Sequence, residues 1–327
     1  MTFPFLEKPT PPLFLAPLSG VSDAPFRQLC RSFGADVVMS EFLSSEALRR
    51  GAAHVHDGAR FAESERPIGI QIYGADPAGM AEAANLVGEH YRPDFIDINF
   101  GCPVKKVVRR NGGSACLKDL DLVQRIIRAV RDATPLPVSV KIRSGWDESS
   151  RKPVDIALRC EGAGAQLLAL HARTRSQQYS RAAKWEEIRA VVNALEIPVI
   201  GNGDILEPAD AHRMWRETGC AGMMIARGSF GRPWIFRQAQ DILQGKVPDA
   251  VPSAVERFRI ARRHRDLLLE HCGDDKTVAC EFRKHLGWYT KGLDNSAGLR
   301  ARLHQIETLA EIDSILDDYL QAMETAA

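Results

Sequence analysis

The segment Asn99-Phe100-Gly101-Cys102-Pro103 puts a thiol where a strand stops and a loop begins, directly after the run Phe95-Ile96-Asp97-Ile98. A basic loop follows at once, with Lys105, Lys106, Arg109 and Arg110 ahead of Gly112 and Gly113. A thiol beside cations at a strand end suits acid–base or nucleophilic chemistry on an anionic partner. A free cysteine is also a small residue that packs well in a core, so the weight of Cys102 depends on what else falls near it.

Other strand-like runs carry polar residues at matching places. Ala16-Pro17-Leu18-Ser19-Gly20 closes the first run, and Gln71 lies inside the third. Lys141 and Arg143 sit on the fifth, His171 and Arg173 end the sixth, Asn202-Gly203-Asp204 end the seventh, and Ala226-Arg227-Gly228 end the eighth. Singly, each is compatible with a hydrogen-bonded core group. Gathered on one face they read as a binding site. Gly203 and Gly228 let backbone amides approach an anion and Arg227 adds charge, which suits a phosphate. Lys141 would set positive charge beside an electron-rich ring, as flavin reduction requires, and Gln71 would bond the amide edge of a planar heterocycle. The same spacing leaves open a sugar-phosphate lyase with Lys141 as the Schiff-base amine.

The elements that would position these groups recur at roughly even spacing. Strand-like runs cover 13–18, 37–42, 68–74, 95–101, 138–143, 167–173, 198–203 and 222–228, several of them continuously apolar, as parallel strands buried on both faces are. Helix-like segments lie between them at 78–90, 120–133, 154–162, 186–195 and 208–218, the first opened by Asp76-Pro77 as cap and first-turn proline. Eight strand–helix alternations without a GxGxxG after the first strand favour an α/β fold of the (β/α)8 TIM-barrel class over a doubly wound sheet. The barrel should close near Phe236 and occupy residues 1–245; a Gly245/Pro248/Pro252 linker then leads to a small all-helical domain at 253–327. Its helices are expected at 254–271, 277–290, 298–307 and 311–325, basic early (Arg257, Arg259, Arg262, Arg263, Arg265) and acidic late.

The chain has 327 residues, 45% hydrophobic and 26% charged, with a net charge of +1, an ordinary globular composition. It has no apolar run of about 18 residues, so no membrane span is expected, and Met1-Thr2-Phe3-Pro4 does not open a secretory leader. Its seven cysteines are scattered without CxxC spacing, against a disulfide framework or a metal site and for a reducing cytoplasm.

These residues together resemble the tRNA-dihydrouridine synthases, most closely the bacterial B-type branch. The resemblance rests on Ala16-Pro17-Leu18, Glu41, Ile70-Gln71-Ile72-Tyr73-Gly74, Asp97 to Pro103, Gly112-Gly113-Ser114, Val140 to Arg143, His171 to Thr174, Gly201 to Asp204, Ile225 to Gly228 and Gly231 to Trp234. It implies an FMN enzyme that uses NADPH to reduce the C5=C6 bond of uridine in tRNA. By resemblance, Ala16, Pro17 and Leu18 contact the flavin through backbone; Gln71 and Lys141 bind its ring; His171 touches flavin or phosphate; Asn202, Gly203, Asp204, Ala226 and Arg227 form the ribityl-phosphate pocket; and Cys102 is the general acid. Asn99 and Arg143 would contact uracil or flavin. A thiol of ordinary pKa is mostly protonated at neutral pH and can donate, provided nearby Lys105 does not over-acidify it. Two departures from the pattern are Ala172, where the family usually has Gly, and Cys116, where an aliphatic residue is common.

The RNA side has its own footing. Lys105, Lys106, Arg109 and Arg110 follow strand four, and Arg173, Arg175, Arg181 and Lys184 follow strand six, in stretches free of acids. Such loops ring a barrel mouth and would hold phosphates. Arg283, Lys284 and His285 fall on a helix of the second domain beside Trp288 and Tyr289, Tyr179 could stack on a base, and the target uridine would have to be drawn out of its loop. No protein partner is called for, and a monomer is expected. The alternatives are a small-molecule FMN oxidoreductase of the dihydroorotate dehydrogenase type, disfavoured by the basic rim and helical domain, and a non-catalytic RNA-binding module.

Overall fold

The computed structural model describes residues 3–326. Met1 and Thr2, on which the expectation of no leader partly rests, and Ala327, the last residue of the helical region, lie outside the described residues. The strands are β1 (Leu13–Leu15), β2 (Val37–Met39), β3 (Leu43–Ser44), β4 (Ile68–Tyr73), β5 (Phe95–Phe100), β6 (Val138–Arg143), β7 (Leu167–His171), β8 (Val199–Asn202) and β9 (Gly222–Ile225). All pairings are parallel. They run β2-β1-β9-β8-β7-β6-β5-β4, and β2 also pairs with β4, which closes an eight-stranded barrel. The expected second strand is split: after Ser40 the chain re-pairs with β4 as the two-residue β3, so Leu43 lies opposite Ile72. Ser40 Oγ accepts the Gln71 backbone N–H at 3.0 Å and donates to the Glu41 carbonyl at 2.8 Å. Most strands stop short of their expected ends, so Ala16-Pro17-Leu18 and Gly203-Asp204 are loop rather than sheet.

The helices are α1 (Ala24–Ser32), α2 (Ser45–Arg49), α3 (Ala53–Ala59), α4 (Pro77–His90), α5 (Lys105–Val108), α6 (Leu120–Ala133), α7 (Pro153–Gly162), α8 (Trp185–Ala194), α9 (Pro208–Thr218) and α10 (Ile235–Leu243), followed by α11 (Ala254–Cys272), α12 (Asp275–Tyr289), α13 (Ser296–Leu303) and α14 (Leu309–Ala326). Asp76 caps α4 by accepting from the Gly79 amide at 3.0 Å, with Pro77 opening the helix, so the local signal and the observed start agree. The lower barrel interior is packed by Phe14, Phe95, Leu167, Ile200 and Met224, and Phe3 and Phe5 plug it from the strand N-terminal side. Gly69 makes room for the Phe95 ring in that interior layer: a Cβ there would lie 2.4 Å from it.

Helices α11–α14 surround their own apolar cluster, including Phe258, Phe282, Leu286 and Leu316. Their basic and acidic runs face each other. Arg262 pairs with Asp313 and Asp317, Arg265 with Asp313, and Arg302 with Asp318. The helical region meets the barrel in the loop after β9. Gly231 has φ +63°, and a Cβ on it would stand 2.4 Å from the Trp288 carbonyl carbon. Phe230 stacks on Trp288, with ring centroids 4.4 Å apart. No described helix is long and apolar enough to cross a membrane.

Candidate active site

Where the strands end, a cavity of about 750 Å³ opens. The loop after β1 lines it with Ala16, Pro17 and Leu18, β5 and its loop with Asn99, Cys102 and Lys105, and β6 with Lys141 and Arg143. His171 enters from β7, Asn202, Gly203 and Asp204 from β8, and Ala226 and Arg227 from β9. Lys284 and Trp288 reach in from α12, so the helical region forms part of the wall. Tyr179 also lines the cavity, with the Arg227 guanidinium 4.4 Å from its ring centre. Gln71 does not line it. It is fully buried, one hydrogen bond behind Asn99, whose Nδ2 donates to Gln71 Oε1 at 2.6 Å. Arg109, Arg175 and Arg283 also stand outside the lining. Arg283 is committed to the carbonyl of Ile306, 2.8 Å from its Nε, which ties α12 to the α13–α14 connection.

The turn that carries Cys102 is fixed on every side. Asn99 Oδ1 accepts the amides of Gly101 at 3.0 Å and Cys102 at 2.8 Å. Arg143 Nε donates to the Gly101 carbonyl at 2.9 Å, and Ser114 Oγ to the Cys102 carbonyl at 2.8 Å. Arg143 Nη1 bridges to the carbonyls of Thr174 and Gln178, so this one guanidinium holds the loops after β5 and β7 together. On the other wall Asp204 accepts from Arg173, from the Ala183 amide and from Arg227, which leaves its carboxylate a scaffold for two arginines.

A model of the family described as dihydrouridine synthase (Dus) matches residues 14–325. The chain belongs to that family. It is an oxidoreductase. A "Probable tRNA-dihydrouridine synthase" of Rickettsia conorii is 38% identical over 315 residues, covering 96% of this chain and 95% of the relative. "tRNA-dihydrouridine synthase B" of Pseudomonas syringae pv. tomato is 41% identical over 296 residues, 90% of this chain and 87% of the relative. Among solved structures, the 2-naphthoyl-CoA reductase complex matches with TM-score 0.51 at 10% identity over 72% of this chain and 50% of that one. The 6-hydroxypseudooxynicotine amine oxidase of Pseudomonas geniculata N1 matches with TM-score 0.52 at 13% identity, 80% of this chain and 53% of that one. The chain spans about half the length of these two solved chains, and the likeness is one of fold.

In this dihydrouridine synthase family member the electrostatics of the cavity follow from burial. Burial raises the Cys102 thiol above its ordinary value, and the Val104 amide, Arg143 and Lys141 only partly offset that. The thiol therefore stays protonated at neutral pH. The cations that act on it are Arg143 and Lys141, not the Lys105 expected from proximity in sequence. Burial, with help from Arg143, lowers Lys141 to about 8, while Asp97 and Cys102 pull the other way. Lys141 Nζ donates to Asn202 Oδ1 at 3.2 Å. Burial holds His171 neutral, and Arg143, Lys141, Arg173 and Arg227 reinforce it. Arg173 Nη1 stands 3.1 Å from His171 Nε2, which makes that nitrogen the acceptor and leaves the ring proton on Nδ1.

The rim is positive and uncompensated. Among the described residues, Lys105, Lys106, Arg109, Lys118, Arg175, Arg181 and Lys184 make no ion pair, and Arg110 approaches Glu46 only to 3.7 Å. Trp146 lies between two of these cations, Lys118 at 3.8 Å and Arg175 at 4.3 Å from its ring centre, so three successive rim loops converge on one indole. Neither Trp146 nor the Asp97–Ser139 contact behind Asn99 figured among the sequence candidates. Asp97 is part of the motif that carries the family resemblance, but nothing in the sequence assigns it a role.

Proposed function

We propose that this chain is a tRNA-dihydrouridine synthase that uses FMN and NADPH to reduce the C5=C6 bond of uridines in tRNA to 5,6-dihydrouridine, with Cys102 as the proton donor. The observation that carries the reading is a buried, protonated thiol on the wall of a heterocycle-sized cavity, beside two cations. The cavity suits FMN on its own residues. Gly203, at φ +126°, brings bare backbone to the wall beside Arg227, as a phosphate requires, whereas Gly228 lies behind the lining and packs against the Ile205 carbonyl, where a Cβ would stand 2.4 Å from the oxygen. Lys141 and Asn202 would face the ring, with Ala16, Pro17 and Leu18 as its backbone shelf and His171 between ring and phosphate; Gln71 would act there through Asn99. When bound, reduced FMN supplies the hydrogen and electron pair that are added at uracil C6.

The chain's own residues complete the reaction. Asn99 and Arg143 Nη2 hold the pyrimidine against the thiol. Cys102 Sγ gives its proton to C5, and Arg143 and Lys141 offset the thiolate charge until water restores the proton. Residues 1–245 would form the catalytic domain and 253–327 the tRNA-binding domain, with Lys284 reaching from one to the other. Phosphates of the tRNA would lie along Lys105, Arg109 and Arg175, in the cytoplasm, on a monomer. Arg283 contributes there by fixing α12 rather than by a free guanidinium.

The test is direct. Purified protein should be yellow, release FMN on denaturation and oxidise NADPH faster when unmodified tRNA is added. Stimulation by free pyrimidines with no response to tRNA would favour a small-molecule reductase.

A further inference from the structure

The proton-donor chemistry leaves one buried carboxylate unused. Asp97, on β5, points into the barrel with 2% exposure and does not line the cavity. It sits within a continuous row of hydrogen bonds across three neighbouring strands. Ser139 Oγ on β6 donates to Asp97 Oδ1 at 2.5 Å, and Gln71 Nε2 on β4 donates to Asp97 Oδ2 at 2.5 Å. Asn99 Nδ2 donates to Gln71 Oε1 at 2.6 Å, and Asn99 Oδ1 accepts the Gly101 and Cys102 amides. Strand register builds the row, since Gln71 lies opposite Asp97 and Asp97 opposite Ser139.

The direction of every bond in this row is fixed from its two ends, by a carboxylate that only accepts and by the Gly101 and Cys102 amides, which only donate. An ionised carboxylate only accepts. Gln71 must therefore turn its NH2 toward Asp97 and its oxygen toward Asn99. Asn99 must then turn its NH2 toward Gln71 and its oxygen toward the two backbone amides. Reversing either side-chain amide would set donor against donor in a dry interior, a costly arrangement. Burial lifts Asp97 to about 6, with Gln71, Ser139 and Lys141 opposing, so it is mostly ionised at neutral pH.

We propose that Asp97 is a positioning residue for Cys102: its carboxylate holds the Gln71 amide in the one direction that lets Asn99 keep its oxygen on the Gly101 and Cys102 amides, and so steadies the turn that aims the thiol. The carbonyls of that turn are held independently by Arg143 and Ser114, so the amide side is the side that Asp97 governs. The proposal rests on the reading of Cys102 as proton donor, but its test does not depend on that reading alone.

Asp97→Asn replaces the pure acceptor with a group that can point either way, and Ser139→Ala keeps the charge but frees one carboxylate oxygen. In Asp97→Asn, turnover per bound FMN should fall by about tenfold or more while the KM for tRNA and the FMN content hold, since small misplacements of a reacting group are that costly. Iodoacetamide should label Cys102 several-fold faster at about pH 8, because a loosened turn hydrates the thiol. Labelling is read on the Cys102 peptide, so Cys116 does not intrude. Ser139→Ala should shift both readouts the same way by less, and it decides alone if Asp97→Asn does not fold. Turnover and labelling both within about twofold of the parent, in folded variants, would overturn the proposal even if the melting temperature drops. A parent that reduces no tRNA would instead sink the functional reading, and labelling would still decide the role of Asp97.

Discussion

The carboxylate of Asp204 meets the guanidinium of Arg173 through both oxygens, at 2.7 and 2.6 Å, and one of them also accepts from Arg227 at 3.0 Å. Arg173 is buried, with 2% of its side chain exposed, so this pair secures a cation that water cannot reach. Asp204→Ala should cost about 3 kcal/mol of stability, the usual penalty for stripping one partner from a buried pair. It should also loosen FMN retention, because Arg227 loses its anchor. Burial acts to raise the Asp204 pKa, but the Arg173 bonds, the Ala183 amide and both arginine charges hold it below the ordinary value. The pair's contribution is therefore complete above the unfolded carboxylate's pKa and is lost as pH falls through the lower folded value. Urea melts of parent and variant at neutral and acid pH check this: the gap between them should narrow in acid.

Lys141 is kept charged at a cost. Its pKa falls from 10.5 to about 8, so between those values the unfolded chain holds more protons and the stability of the flavin-free protein should rise with pH. Lys141→Met should stabilise the flavin-free protein at neutral pH, by on the order of 3 kcal/mol from the shift itself, yet retain less FMN after dialysis. Thermal melts and bound-flavin absorbance, measured on the same preparations, separate the two effects.

The unpaired rim should dominate the salt dependence of tRNA binding. Each of Lys105→Gln, Arg109→Gln and Arg175→Gln should reduce the slope of log affinity against log salt by about one, with little change in turnover at saturating tRNA. Binding titrations over a salt series measure it. Arg262→Gln and Arg265→Gln should leave the slope unchanged, because acidic partners on α14 already neutralise those arginines.

Gly231 lets α12 close on the barrel. Gly231→Ala would drive a Cβ to 2.4 Å from the Trp288 carbonyl carbon and 2.5 Å from the Tyr289 nitrogen, at a left-handed φ of +63°. The loss should be on the order of 3 kcal/mol, since neither backbone can yield cheaply. Denaturant melts measure it, and faster proteolysis near residues 245–253 would report the released contact.

Much of the site could be read from residue order, for a physical reason. Parallel strands in a barrel all end on one face, so Cys102, Lys141, His171, Asn202 and Arg227 had to converge whatever the helices did. What escaped depends on contacts between segments far apart in the chain. Gln71 looked like a ligand group because glutamine is rare in apolar strands, yet its amide is taken up by Asp97 and Asn99. Arg283 looked like a phosphate contact, yet the Ile306 carbonyl claims it. The basic run of α11 and the acidic run of α14 were each visible, but not that they face each other. The split of the second strand and the short helices α2, α3 and α5 were invisible because a few residues carry too little periodicity.

The central claim is that Cys102 supplies the proton that completes uridine reduction. The most direct measurement mixes flavin-reduced Cys102→Ala protein with unmodified tRNA, air excluded, and follows dihydrouridine by mass spectrometry of the digested RNA. The variant should carry as much FMN as the parent and form dihydrouridine about a hundred- to ten-thousand-fold more slowly, the range for loss of a general acid. Formation at the parent's rate would contradict the account.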